Sequence, residues 1–394
     1  MLLGGGDTAL AVARSLGDAE VRVYALGSGF DSVRFSRGCE TFVRLGRGAG
    51  IQERWLEWLS SAPVGSVVLP CEDEGLELVG RNRELLLELG LVPFEADDDV
   101  LLAMLDKRAT YRRASAIGIE VPLSFSIHAQ ADLAVALSPI SYPCALKPLR
   151  SHEFARHFAG MKAFVVNNED ELRDAMSRTD SAGVETMVTE IIPGPDDQFC
   201  SLYSYLDEDG EPLLQCTKRK LRQHPIGFGA GCYHVTDCNP EAAELGLRFF
   251  QGMGLRGLGS VEFKRDERDG RLKLIECNHR FTAATGLLRA AGLDLPLFVY
   301  NTLLDRPPSP VQVYRTGLTM WCPAPDVRAF VAYRRNGQIS LRAWLRGVVR
   351  RHHFPVASLV DPRPALVNHL RLFSRLRRLL GRRRMQRTLP ASGH

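Results

Sequence analysis

Two runs of strand-forming character, Gly259–Lys264 and Lys273–Cys277, are joined through Asp269-Gly270, a pair that favours the tight turns of β-hairpins. Period-2 alternation puts Ser260, Glu262 and Lys264 on one face, and Leu274, Glu276 and Asn278 on one face of the partner strand. Folding at the turn then sets Glu262 opposite Glu276, within one residue of register. Like charges facing each other across two strands destabilise a sheet, so this hairpin needs either a cation between its carboxylates or water around both. Two carboxylates and an amide oxygen are hard donors of the kind that hold Mg²⁺ together with nucleotide phosphates. A solvated hairpin with two exposed glutamates is the competing reading, and the hairpin alone does not decide between them.

Three other segments bear on that choice. The chain has 43 Arg and only seven Lys, and a lysine retained against such a preference marks a place suited to a compact point charge. Lys147 ends the apolar run Cys144-Ala145-Leu146 between Pro143 and Pro148. A lysine leaving a buried strand needs an anion nearby, either a phosphate or a structural carboxylate. Lys107, beside Asp106 early in a predicted helix, is less distinctive. The stretch from Val188 to Gln198, VTEIIPGPDDQ, carries Glu190 on an apolar strand and breaks at Pro193-Gly194-Pro195 before Asp196-Asp197. Broken backbone of this kind leaves N–H and C=O groups to read an adenine edge, and an acid to hold a ribose; a plain β-turn is the alternative. The stretch from Thr217 to Cys232, TKRKLRQHPIGFGAGC, sets Lys218, Lys220 and Arg222 ahead of Gly227, Gly229 and Gly231. It suits a mobile cover over a triphosphate, or else a solvated basic loop.

Around these segments the chain divides into three. Strands at Met1–Leu3, Val21–Ala25 and Ser66–Pro70 alternate with helices at Thr8–Leu16, Gln52–Ser60 and Glu74–Leu89, which predicts a parallel α/β sheet over residues 1–95. Residues 96–310 follow a break at Pro93 and the acidic run Glu95–Asp99. They open with a helix over Asp99–Ile117 and strands at Ser124–Ser126, Cys144–Lys147 and Ala163–Val166. A helix from Glu169 to Ser177 begins after Asn167-Asn168, residues suited to capping it, and strands run over Thr186–Ile192, Phe199–Leu206 and Leu213–Thr217. A helix over Glu241–Met253 has Asn239 as its cap and Pro240 at its first position. A subdivision near residue 187 separates a smaller from a larger α+β unit. Residues 311–394 read as a basic, mainly helical extension.

Composition removes several classes. An apolar content of 45% over 394 residues supports a real core. No apolar run spans a bilayer, and MLLGGGDTAL has neither the basic nor the long apolar region of a secretory signal. Nine scattered cysteines, never spaced CxxC, read as reduced thiols and predict a cytoplasmic protein without a zinc site. There is no G-x-x-x-x-G-K-[ST], which excludes a P-loop. Gly4-Gly5-Gly6-Asp7-Thr8-Ala9 matches G-x-G-x-x-A, so a dinucleotide-binding oxidoreductase stands as an alternative.

The order of these segments resembles the ATP-grasp superfamily over roughly Asp106 to Gly292, including D-aspartate ligase and the synthetase domains of carbamoyl-phosphate synthase. LIECNHRF resembles the family's metal-binding E-x-N-x-R strand, EIIPGPDD its adenine hinge and ribose segment, PCALKPL its phosphate-lysine strand, and DKRATYRRASAIGIEVP the stretch entering its nucleotide domain. The resemblance implies a Rossmann-like pre-ATP-grasp domain, then two α+β subdomains clamping ATP. It implies that Lys107 and Lys147 bind phosphate, that Glu190 and the Ile192 backbone hold adenine, and that Asp197 holds ribose. Glu262, Glu276 and Asn278 would hold Mg²⁺, with Mn²⁺ as an alternative ion. Arg280 would face the transferred phosphoryl group, and Lys220 or Arg222 would cap the triphosphate. The implied reaction converts ATP to ADP and phosphate while joining a carboxylate to an amine or other nucleophile through an acyl phosphate. A non-catalytic ATP-binding scaffold is the other reading. One departure stands out: the family's glycine-rich phosphate loop is replaced by LRSHEFARHFAGMKAF, with Gly160 its only glycine.

Charge is unevenly spread. From Val311 onward there are 17 Arg, no Lys and two acids, a net +15, whereas the first 310 residues carry −11. Within the basic part, Leu366–Arg384 places Leu370, Phe373, Leu376, Leu379 and Leu380 at helical spacing among arginines. Packing on the chain's own acidic body is the favoured use; an anionic membrane surface, an acidic partner or a second copy, and RNA compete with it. No aromatic interleaving supports nucleic acid. Val311–Pro355 reads as a small helical appendage.

Overall fold

The structure, a computed structural model, describes residues 1–371 except 30, 96, 127–139, 159–160 and 312. The N-terminal strands β1 (Leu2–Leu3), β2 (Tyr24–Gly27), β3 (Thr41–Arg44), β4 (Val67–Pro70) and β5 (Val92–Pro93) form a sheet in the order β3-β2-β1-β4-β5. All four pairings are parallel. Crossovers run through α1 (Asp7–Asp18), α2 (Ile51–Leu59), and the pair α3 (Asp73–Arg81) and α4 (Arg83–Glu88). Two residues suffice for β1 because it lies at the sheet's centre, where Leu2 and Leu3 are fully buried. The single helix expected over Glu74–Leu89 is broken at Asn82 (φ −130°, ψ 23°), whose side-chain amide donates to the Leu78 carbonyl at 2.9 Å.

The helix expected over Asp99–Ile117 is also two, α5 (Asp98–Leu105) and α6 (Lys107–Ala116). Asp106 adopts extended backbone, and its carboxylate accepts from the Ala109 N–H at 3.0 Å. An aspartate that caps a new helix competes with continuing the old one, and here the cap wins. It leaves Lys107 at a helix start, tied through its own N–H to the Leu149 carbonyl at 3.1 Å. Next comes a four-stranded antiparallel sheet in the order β6-β9-β7-β8, built from β6 (Ser124–Ser126), β7 (Cys144–Pro148), β8 (Phe164–Val166) and β9 (Thr186–Glu190). Two helices pack against it, α7 (Ser151–His157) and α8 (Glu169–Ser181), the latter capped by Asn168. Leu146, Phe154, Phe164, Leu172 and Val188 close their shared core.

The third sheet has seven strands, β10 (Phe199–Leu206), β11 (Pro212–His224), β12 (Ala230–Asp237), β13 (Gly257–Arg265), β14 (Leu272–Asn278), β15 (Thr319–Trp321) and β16 (His352–His353), in the order β14-β13-β10-β11-β12-β15-β16. Helix α9 (Pro240–Met253), capped by Asn239, buries Phe249 and Phe250 in the core it shares with this sheet. Helices α10 (Thr285–Ala290) and α11 (Leu295–Thr302) pack on α1. Two expectations are corrected here. The basic stretch Thr217–Cys232 is not a loop: β11 runs to His224 and only residues 225–229 turn. Lys218 and Lys220 share one buried face of it, and a bulge after Lys220 turns the equally buried Arg222 to the opposite face, over the Tyr233 ring. Nor is Val311–Pro355 a separate helical appendage, since β15 and β16 extend the large sheet and flank α12 (Pro323–Arg335) and α13 (Leu341–Val348). Of the expected basic helix, residues 366–371 are helical, in a helix that begins at 363, and Asn368 donates to Ser32 Oγ at 3.0 Å. The remainder of Leu366–Arg384 lies outside the described residues, as does Gly160.

Candidate active site

Between the four-stranded and the seven-stranded sheet lies a cleft of about 790 Å³, open to solvent. Its most unusual property is its lysines. Lys107, Lys147, Lys162, Lys220 and Lys264 all line it, five of the seven in the chain.

The β13–β14 hairpin supplies its acidic wall. Glu262 pairs directly with Glu276 in the antiparallel ladder, and Ser260 with Asn278. The register shifts between Glu262 and Phe263, because Phe263 pairs with Leu274 and Ile275 is an extra residue on β14. That bulge corrects the expected face. Leu274 goes into the core, fully buried, while Ile275 and Glu276 both reach the cleft. Glu262 is held by the Lys220 ammonium at 2.8 Å. Burial pushes its carboxyl up, but the Lys220 and Lys218 charges outweigh this and hold it below the usual carboxylate range. Among the described residues the Glu276 and Asn278 side chains make no hydrogen bond or salt bridge.

The cationic wall comes from the other sheet. Lys147, on β7, makes no hydrogen bond or salt bridge among the described residues. Burial pulls its pKa down to about 8, and the neighbouring Lys107 charge adds to the effect. Lys107 donates to Ser151 Oγ at 2.7 Å, at the start of α7. Thus the helix that stands where a glycine-rich loop is the family pattern meets the cleft through Ser151. It is fastened to the N-terminal sheet domain by His152 Nε2 against Glu77 Oε2 at 3.0 Å.

The floor is apolar and hinge-like. Lys220 and Lys264 lie over the Phe199 ring at 4.1 and 5.2 Å from its centroid. Lys264 donates to the Ile192 carbonyl at 2.7 Å, so the broken segment after β9 is anchored to β13. Glu190 lines the cleft with both oxygens engaged: one accepts from the Leu123 N–H at 2.9 Å, the other from Arg268 at 2.8 Å. A smaller cavity shares Lys107, Ser151 and Glu276 with the cleft and continues past Asn278 to Asp73 and His279.

Three expected site residues are elsewhere. Asp197 is exposed and off the cleft wall. Its neighbour Asp196 is the buried one, accepting from Gln223 Nε2 at 2.7 Å, the Gly227 N–H at 3.0 Å, and the Tyr333 hydroxyl. The two sit in a short 3₁₀ turn, where period-2 reasoning fails to assign which side chain turns in. Arg222 is buried in an ion pair with Asp326, Nη2 to Oδ2 at 3.0 Å, which separates it from Lys220. Arg280 is paired with Asp73 of α3, and its Nη1 donates to the Phe281 carbonyl at 3.0 Å. It stands beside the smaller cavity, not on the wall of the larger one. Lys162 and Lys264 were not singled out from the sequence, although lysine scarcity was signal enough to find them.

A mixed α/β chain whose four- and seven-stranded sheets face a lysine- and glutamate-lined cleft has the fold of ATP-grasp enzymes, and its sequence is similar to ligases of that fold. No protein-family model matches it. It is 26% identical to D-aspartate ligase of Enterococcus faecium (strain Aus0004) over 290 residues, which cover 69% of this chain and 67% of that one. Among solved structures it is similar to the L-amino acid ligase from Bacillus licheniformis, with TM-score 0.58, 15% identity, and 77% and 74% of the two chains covered. It is also similar to the biotin carboxylase domain of the Hydrogenobacter thermophilus 2-oxoglutarate carboxylase in complex with MgADP, ADP and bicarbonate, with TM-score 0.63, 17% identity, and 81% and 72% covered.

Proposed function

We propose that the cleft binds ATP and Mg²⁺ and phosphorylates a carboxylate, and that an amine then displaces phosphate from the resulting acyl phosphate. The observation that carries this reading is that two charges with no hydrogen bond or salt bridge among the described residues, the Lys147 ammonium and the Glu276 carboxylate, line one cleft, with the Asn278 amide in the adjoining cavity. Opposed carboxylates with an adjacent amide oxygen suit a hard divalent cation, so Glu262, Glu276 and Asn278 would hold Mg²⁺, which neutralises phosphate charge when bound. Lys107 and Lys147 hold the phosphates, with Lys220 as the cap. The apolar surface at Phe199 and Ile192 takes the adenine, with Glu190 at its edge. Little covalent work falls to the protein in such a transfer; positioning and charge neutralisation do most of it. The smaller cavity, with Arg280 beside it, receives the carboxylate and then the amine. The relationship to amino-acid ligases supports an amino acid as one of the two. We read the N-terminal parallel sheet as the pre-ATP-grasp domain, and the thiol content as that of a cytoplasmic protein.

The dinucleotide reading loses support at the Gly4–Gly6 turn. The Gly5 N–H donates to Glu72 Oε1 at 3.1 Å, and the Asp31 carboxylate lies within 2.3 Å of where a Cβ on Gly5 would be. Two acids crowd the place a pyrophosphate would occupy. The test of the ligase reading is phosphate release from ATP across a panel of amino acids and other carboxylates, with hydroxylamine added to trap an acyl phosphate as its hydroxamate. Release that depends on both the acid and Mg²⁺ is expected. ATP binding without release for any acid would favour the scaffold reading.

A further inference from the structure

Helix α13 turns two rows of side chains to solvent. Leu341, Leu345 and Val349 form an apolar row at i, i+4 and i+8 and are 46, 45 and 80% exposed. One position along, Arg342, Arg346 and Arg350 form a parallel exposed row, the last pair continuing just past the helix end. None of these arginine side chains makes a salt bridge or hydrogen bond among the described residues. The rotation of the helix is fixed from its inner side. Trp344 stacks on Phe330 of α12 at 4.5 Å and donates to Asp326 at 2.9 Å, and the Gly347 carbonyl accepts from the Tyr233 hydroxyl at 3.2 Å.

Two further observations describe the same C-terminal part of the chain. Leu366 and Leu370, again one turn apart on helical residues 363–371, are 59 and 69% exposed. The whole segment from Val311 has only two acids, Asp326 and Asp361, and both are buried in ion pairs, with Arg222 and with Arg14. Its outward charge is therefore entirely positive.

Single exposed leucines need no explanation, but a row of them at helical spacing does. An anionic bilayer surface satisfies both rows at once: the apolar row enters the acyl boundary while guanidinium groups lie among the lipid phosphates. A nucleic acid would satisfy the arginines and leave the leucines without a partner. No helix among the described residues is long and apolar enough to cross a membrane, which fits contact from one side. We propose that α13 docks this chain peripherally on an anionic lipid surface. The proposal is independent of the chemistry in the cleft.

The test is co-sedimentation of the full chain with two kinds of vesicle, phosphatidylcholine alone and phosphatidylcholine with about 30% phosphatidylglycerol, near physiological salt. Binding to the anionic vesicles and little to the neutral ones is expected. The triple variant Leu341→Ser, Leu345→Ser, Val349→Ser is expected to weaken that binding by about tenfold or more, as is Arg342→Gln, Arg346→Gln, Arg350→Gln. Both triple variants change only outward-facing positions, and an unchanged melting temperature verifies that they fold. Equal binding to both kinds of vesicle, or none, overturns the proposal. So does undiminished binding of the serine variant, which would reduce the effect to charge on the arginine-rich tail. Retention of a short RNA or an acidic peptide in place of the anionic vesicles overturns it in favour of that partner.

Discussion

Two hairpins of the large sheet carry charges to buried positions and use them in opposite ways. On β13–β14, Glu276 reaches the cleft and Asn278 the smaller cavity beside it, and among the described residues their side chains make no hydrogen bond or salt bridge. On β11–β12 almost every charge is consumed internally: Lys220 by Glu262, Arg222 by Asp326, and Lys218 by Ser201 Oγ and His234 Nδ1 at 3.3 and 3.5 Å. Burial pulls the Lys218 pKa down, and it drives His234 well below its usual value with the Lys218 charge adding to the effect. The contrast separates charge retained for a ligand from charge that locks one element to another. The first should matter to turnover and little to folding, and the Arg222–Asp326 pair, off the cleft, the reverse; Lys220 and Glu262, which pair with each other and also line the cleft, belong to both.

The sharpest break in that comparison would come from Glu276→Ala. ATP turnover should fall by about 10²-fold or more, with the melting temperature essentially unchanged; a steady-state phosphate assay beside a thermal melt checks both halves. Arg222→Ala should do the opposite by stranding Asp326, which is fully buried. Losing one partner of a buried pair costs about 3–5 kcal/mol, read from the midpoint of denaturant unfolding. An Arg222→Ala protein as stable as the parent would dissolve the distinction.

A pH series refines it. With Lys147 titrating near 8, its charged form, which an anion prefers, is lost as pH rises through that value. ATP affinity should therefore decline above pH 8, and binding there should take up a proton, measurable by calorimetry in buffers of different ionisation enthalpy. Lys147→Met should lower affinity and remove the proton uptake. Glu95 gives a smaller, purely structural effect. Burial raises its pKa to about 7, where the Tyr205 hydroxyl donates to it. A raised carboxyl stabilises the fold fully below its unfolded value of 4.5 and loses that contribution as pH rises through about 7. Glu95→Gln should flatten the melting temperature over that window. The smallest effect is expected from Asp197→Asn, since that side chain lies off the cleft; a KM for ATP within about twofold of the parent's would agree.

Much of this was legible because strand periodicity and turn chemistry are local. The Glu262–Glu276 pairing follows from a two-residue alternation and one Asp-Gly turn, and the Asn168 and Asn239 caps from their own short side chains. What stayed hidden depended on distant partners. Lys220 and Arg222 of β11 are buried on opposite faces, and their acidic partners Glu262 and Asp326 lie 42 and 104 residues further on. Asp106 and Asn82 split helices whose hydrophobic pattern runs straight through them. The Ile275 bulge moved one side chain into the cleft and another out of it, and no periodic rule carries an extra residue. The replacement of a glycine-rich loop by α7 was visible as a departure, but that it folds as a helix braced on Glu77 was not.

The two ends of the described chain meet at Asp361. Its carboxylate accepts from Arg14 Nε at 2.9 Å, Ser36 Oγ at 2.7 Å and the Arg37 N–H at 3.1 Å, while the Arg14 guanidinium also holds the Pro355 and Val356 carbonyls. During synthesis the first sheet emerges long before this strap exists. The amino-terminal domain therefore leaves the ribosome with the Arg14 guanidinium still solvated, and it is finished only when nearly the last of the described chain arrives to close the ring.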